Sequence, residues 1–370
     1  DLDNDGDMDL YVARGKTYYE IANNSIDFDP ATGRLDLRDE GNKGQDAISF
    51  AAGDTVGLQG FFHWPRGVDL VLPVYLGEAQ LPIDTPVEPA TVSAADAQGF
   101  PETLEHNGWY LGHLGDGEWR LAWNLDGDLA WDIRASVTGV SEAKPHWVPQ
   151  KRGVPDLLLI NEGGHFRDAS AALPPVSGDN NWGVVAGDFD NDMKADLFIY
   201  RFGGLHTRVE DVLLHNTGNP EQPFNAIIDH GANNLSAGGH GDMGAPLDYD
   251  GDGWLDILSG SDDMGRWHLY RNTGGPDHRS LMIQVGNSPQ GTGPHGAEIY
   301  LTTDGGTQFK RVGSRGAVHS QSLYDRVHFG LGDHAEADRV RVRWRDGSEA
   351  VRENLAAGEE HSFGKPGSGS

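Results

Sequence analysis

The sequence predicts an all-β chain: a propeller-like array of short sheets, interrupted by an inserted β-rich segment and followed by a second β domain. Three observations predict it. An Asp-rich segment recurs ahead of equivalent apolar strands. No stretch has helical period long enough for a cap and three turns. The 370 residues include 52 Gly and 19 Pro, the punctuation of many tight turns. At this length one compact core is exceeded, so a second domain is expected. With 37% hydrophobic residues and 10 Trp, the chain can bury a core.

The repeats carry the first element. Asp1-Leu-Asp3-Asn-Asp5-Gly6-Asp7-Met-Asp9 precedes Leu10-Tyr11-Val12. Asp188-Phe-Asp190-Asn-Asp192-Met193-Lys194-Ala-Asp196 precedes Leu197-Phe198-Ile199. Asp248-Tyr-Asp250-Gly-Asp252-Gly253-Trp254-Leu-Asp256 precedes Ile257-Leu258. Starts at residues 1, 188 and 248 fit a unit of roughly sixty residues, some units having lost their acidic loop. Asp69-Leu-Val-Leu and Asp156-Leu-Leu-Leu-Ile are expected to be the strands of such units. Partner strands end in Asn161-Glu-Gly, Asn216-Thr-Gly and Asn272-Thr-Gly, which is turn chemistry. Strands and Gly-rich turns in units of this size mark propeller blades.

The remaining elements lie outside the repeat. The insertion is expected at about 80–146: a Pro- and Ala-rich excursion, then three strands around Trp109-Tyr110, Trp119 to Trp123, and Trp131. Residues 1–278 form the propeller with this insertion. From Arg279 to Phe363 separate strands without acidic loops predict a β-sandwich-like domain, and 364–370 reads as a tail or linker scar.

Composition narrows the function. A net charge of −29 repels phosphate backbones and anionic lipid, so neither nucleic acid nor a membrane surface is expected as a partner. The absence of Cys removes disulfides, thiol catalysis and Cys-ligated metals. No apolar run is long enough for a membrane span. The start on Asp1 is read as a processed or trimmed terminus, which would hide any signal peptide.

The acidic loops predict calcium. Calcium takes six to eight hard oxygen ligands in a flexible shell. Carboxylates at positions 1, 3 and 5 face the inside of a turn, position 6 reverses the chain, position 7 offers its backbone carbonyl, and Asp at 9 closes the shell. About three Ca²⁺ sites are expected: Asp1, Asp3, Asp5, Asp7 and Asp9; Asp188, Asp190, Asp192, Lys194 and Asp196; Asp248, Asp250, Asp252, Trp254 and Asp256. An EF-hand is excluded, because a strand follows position 9 at once. Met193 stands where Gly is expected, so the second loop is ranked weakest. In the similar run Asn124 to Asp132, a plain hairpin turn is preferred to a metal site.

The three loops with their strands resemble the FG-GAP/VCBS repeats of integrin α-chain-type β-propellers. Residues 279–363 resemble the ASPIC/UnbV domain, through Gly296-Ala297-Glu-Ile-Tyr, Ser320-Gln321-Ser322, His328-Phe329-Gly330-Leu331-Gly332 and Val342-Arg-Trp344-Arg-Asp-Gly347. Together they resemble the layout of cartilage acidic protein-like secreted proteins. The resemblance implies an extracellular calcium-bound scaffold whose function is binding of glycan or protein, as in adhesion and recognition.

Catalysis is the alternative. His206, His240 and Asp242 could form an acid–base site at a propeller mouth for a polysaccharide- or small-molecule-processing enzyme, although ordinary loop histidines explain them more simply. Self-association into a filament or matrix is the third reading. The aromatics of the insertion are its best ligand surface, set against the plainer reading of a buried sheet face.

Overall fold

The structure is a computed structural model that describes residues 1–14, 25–67, 69–86, 89–146, 155–175, 181–201, 210–233, 243–261, 266–275, 277–313 and 325–365. Among them the chain is all-β in several sheets, with a single 3₁₀ turn at Ser170–Ala172 and no α-helix. It divides into two compact units. The first comprises Asp1–Gly15, Gly153–Gly203 and Arg208–Ser370; the second comprises Lys16–Arg152 with Gly204–Thr207.

In the first unit the acidic segment is each time followed at once by a strand. Asn181–Gly187 and Asp196–Arg201 form an antiparallel pair around the second loop, extended by Val212–Asn216 and Phe224–Ile227. Met243–Leu247, Asp256–Ser261 and Arg266–Tyr270 repeat this around the third. The first loop leads into Leu10–Val12, which pairs with Leu157–Asn161 and then Phe166–Asp168.

That last pairing corrects the repeat count. The strand after Asp156 is not the acidic-loop strand of a separate unit; it is the next strand of the first repeat. Asp156 Oδ1 accepts the Arg14 N–H at 2.8 Å, as Asp211 Oδ1 accepts the Arg201 N–H at 2.9 Å before the corresponding strand of the second repeat. Residues 69–73 join no ladder, and Leu72 is buried in the second unit's core. The long spacing between the first two loops therefore comes from a whole unit inserted within the first repeat, not from repeats that lost their loops.

The second unit is built on a nine-stranded sheet. Its spatial order is Ser25–Asp29, Arg34–Asp39, Ala130–Pro145, Gly44–Pro65, Glu118–Leu125, Gly108–Gly115, Val74–Leu76 and Leu81–Ile83, with Ala90–Ser93 pairing to Gly44–Pro65. Alternation decides its faces. Leu35 and Leu37, with Ile133, Ala135 and Val137, point into a core that also buries Trp109, Trp119 and Trp123. The three strands expected around Trp109-Tyr110, Trp119 to Trp123 and Trp131 are present and wall that core, although the Trp131 side chain itself is exposed. Asn124 to Asp132 is not a hairpin, because Glu118–Leu125 and Ala130–Pro145 lie on opposite sides of Gly44–Pro65. Its carboxylates have protein partners: Asn107 on Asp126, the Lys43 N–H on Asp128, and Arg38 and Arg134 on Asp132.

The C-terminal part of the first unit has two sheets. Arg326–Gly332, Arg279–Val285 and Glu360–Phe363 form one; Gly306–Arg311, Glu298–Thr303, Glu336–Arg343 and Glu349–Ala356 form the other. Leu281, Ile283 and Phe329 from the first meet Ile299, Leu301 and Val340 from the second in one core.

Candidate metal centres

The three acidic loops have the same wiring. In each, one oxygen of the position-9 aspartate accepts the N–H of position 2: Leu2 to Asp9, Phe189 to Asp196 at 3.1 Å, and Tyr249 to Asp256 at 3.0 Å. Its other oxygen accepts the N–H of an asparagine at or just past the end of a neighbouring strand, Asn161 at 2.9 Å, Asn216 at 2.8 Å and Asn272 at 2.7 Å. Burial raises the Asp196 and Asp256 carboxyls above their ordinary range. Spacing alone presents position 9 as a ligand; the structure also makes it the clasp that closes the loop.

Position 1 supports the turn from inside. Asp1 accepts the Gly6 N–H at 3.2 Å, Asp188 the Met193 N–H at 3.0 Å and Asp248 the Gly253 N–H at 3.0 Å. The position-6 residue adopts positive φ in all three: 96° at Gly6, 76° at Met193 and 89° at Gly253. Met193 therefore holds a backbone that glycine adopts without strain. Its side chain rests against the C-terminal sheets, with Sδ 3.8 Å from Thr303 Oγ1.

Successive loops are joined by repeated contacts. Asn4 Nδ2 donates to the Met193 carbonyl and Asn191 Nδ2 to the Gly253 carbonyl, both at 3.1 Å. Asn216 reaches back to Leu2 O at 2.7 Å, and Asn272 to Phe189 O at 2.8 Å. The C-terminal sheets complete the set. Phe309 N–H donates to Asp1 at 2.9 Å, and Ser280 Oγ and His328 Nε2 donate to Gly253 O at 2.6 and 3.1 Å. At Gly330 an added Cβ would lie 2.0 Å from Asp188 Oδ2, so only glycine allows that approach.

Ligand-type oxygens converge in each loop. One atom each from Asp1, Asp3 and Asp5 lies within 4.8 Å of the others, as for Asp188, Asp190 and Asp196, and for Asp248, Asp250 and Asp252. At that distance each carboxylate pair repels by about 1 kcal/mol in bulk water and about 3.5 kcal/mol at an effective dielectric of 20. Burial, together with Asp9 and Asp5, raises the Asp3 carboxyl. Burial pushes Asp188 up to about 7, opposed by Lys310 and assisted by Asp192 and Asp190. Asp7 Oδ1 is buried without a hydrogen-bond partner. All-oxygen donors in a strand-flanking loop suit a hard cation such as calcium; these residues would hold it, and it would neutralise the loop.

Basic side chains distinguish the loops, and sequence spacing gave no sign of them as loop partners. His215 Nε2 lies 3.0 Å from Asp190, completing a mixed cluster with Asp192. Lys194, expected to contribute only its carbonyl, places Nζ 2.5 Å from Asp192. Arg271 bridges Asp250 at 2.6 Å and Asp252 at 2.9 Å. His215 and Arg271 stand immediately before the recurring asparagine, a position the strand pattern marks only as the end of an apolar run. The acid–base candidates His206, His240 and Asp242 lie outside the described residues, as does Ser320-Gln321-Ser322.

The C-terminal segment defines a class. Residues 287–370 match the family described as ASPIC and UnbV, so an ASPIC/UnbV domain is present. Curated relatives extend the similarity: cartilage acidic protein 1 of Homo sapiens is 31% identical over 187 residues, covering 48% of this chain and 27% of the relative. The proteins of that name from Mus musculus and Xenopus tropicalis are 30% and 28% identical with the same coverage. The chain thus spans about a quarter of the length of the curated relatives it matches. No helix among the described residues is long and apolar enough to cross a membrane.

Proposed function

We propose that the chain is a secreted calcium-binding scaffold, built on FG-GAP/VCBS-type propeller repeats and finished by the ASPIC/UnbV domain, that recognises an extracellular glycan or protein. The observation that carries this reading is the common wiring of three acidic loops. Each gathers carboxylates whose mutual repulsion a bound cation removes, and each hands a side chain or carbonyl to the next. Calcium therefore has a structural task, to stiffen a row of loops against which the C-terminal sheets rest. Similarity to cartilage acidic protein 1 supports an extracellular location, where millimolar calcium and the lack of cysteine are compatible.

At about 1 mM calcium and a dissociation constant near 10⁻⁴ M, each site stabilises the fold by about 1.4 kcal/mol. The test is calorimetric titration of chelator-treated chain with calcium, alongside its melting temperature. The expected outcome is saturation near three ions with a rise in melting temperature. Absence of binding heat and of any thermal shift at millimolar calcium sinks the reading.

A further inference from the structure

On the second unit's sheet, the face opposite the apolar core is polar yet largely desolvated. Asp132 is only 1% exposed and Arg38 only 3%. Asp132 pairs with Arg38 at 2.7 Å and Arg134 at 2.8 Å, while Arg34 pairs with Asp36 at 3.0 Å. Along the adjoining strand, Trp64 stands opposite Asp132 and Phe62 opposite Arg134, so both aromatics share the face of this network. Phe62 is 50% exposed and Trp64 51%, whereas Phe50, Phe61, Trp109, Trp119 and Trp123 are buried in the core on the other face. The Arg134 guanidinium lies 5.5 Å from the centre of the Phe62 ring.

We infer that Phe62 and Trp64, with the Asp132–Arg134 pair beside them, form the binding face for a neutral glycan chain. The two rings follow one another at about 7 Å along the strand, offering apolar surfaces to the C–H faces of successive sugars. The partly exposed Arg134 and Arg34 guanidiniums supply oriented donors for the hydroxyl edges, and buried Asp132 and the Asp36 carboxylate hold them in place before any ligand arrives. The three guanidiniums are held by two carboxylates, Asp132 and Asp36, leaving little uncompensated positive charge on a chain that carries −29 overall, so neutral polymers suit this face better than anionic ones. This deepens the recognition reading above and rests on it for the ligand class, but needs no bound calcium.

Affinity electrophoresis of the full chain tests it, in native gels holding β-glucan, xylan or galactomannan, with chondroitin sulfate as the polyanion, each run in calcium and in EDTA. Retardation by at least one neutral polymer in both buffers is expected. Trp64→Ala should weaken it about tenfold, Phe62→Ala/Trp64→Ala should abolish it, and Trp64→Phe should keep most of it. Circular dichroism should be unchanged, since both rings are half exposed. The inference is overturned if no neutral polymer retards the chain, if chondroitin sulfate alone does, or if the folded double variant binds as before. A calcium titration on the same sample separates the two readings. Intact calcium binding without glycan retardation removes only this face, whereas glycan retardation without calcium binding removes only the calcium scaffold.

Discussion

The two units solve the same problem by different means. The second closes an extensive core on Trp109, Trp119 and Trp123, with Trp119 stacked on Phe50 and donating its indole N–H to Gly53 O at 3.0 Å. The repeats of the first have smaller cores, one around Leu197, Ile199 and Leu214 and another around Val185, Phe198 and Tyr200. What they add is a chain of polar links through the acidic loops. Apolar burial is indifferent to ions in solution, while a row of carboxylates is not. If the loops take up a cation as proposed, one chain combines a unit whose stability is fixed by its sequence with one whose stability is set partly by its surroundings.

Separate melting transitions would sharpen that contrast. Trp119→Ala has the largest expected effect, about 3–5 kcal/mol from a filled core position. Differential scanning calorimetry should show the second unit melting earlier and the calcium-sensitive transition in place. Loss of both transitions together would break the comparison. Removing calcium should cost the first unit about 4 kcal/mol over three sites, roughly a 10 °C fall, with the second unit unmoved.

Gly330→Ala comes next. It forces a methyl group onto Asp188 and Asn191, with about 1–3 kcal/mol of overpacking expected. Calcium titration of this variant should lose or weaken one site and leave two. Met193→Gly is the smallest. Relief of positive φ is partly offset by the lost contact with Thr303, so urea unfolding in calcium should show a gain below about 1 kcal/mol.

Much of the first unit was legible because one Asp spacing recurs, and it leaves Asp1, Asp188 and Asp248 in register, each accepting the N–H of position 6. The anomaly at Met193 was legible for the same reason: position 6 must reverse the chain. The extent of the insertion was not. Residues 25–67 carry strands with no repeated phrase, and Gly44–Pro65 bends through register shifts that interrupt alternation along its 22 residues. The aromatic surface was sought at Trp109, Tyr110, Trp119, Trp123 and Trp131, of which the first four are buried and Trp131 is exposed, while exposed Phe62 and Trp64 sit in Phe61-Phe62-His63-Trp64, where neighbouring aromatics hide which face is outward. The partner of Asp250 and Asp252 escaped because Arg271 lies 21 and 19 residues further on, just past a strand whose pairing brings it back to the loop.

The pairing of Leu10–Val12 with Leu157–Asn161 also has a consequence for biosynthesis. At about 5–20 residues per second, roughly 10–30 s separate the emergence of the two strands from the ribosome. During that interval the second unit is made in full and can collapse on its own core, while the edge of the first strand awaits its mate. Order of assembly is thereby written into the topology: the inserted unit comes first, and its folding brings together the two chain ends from which the opening repeat is finished.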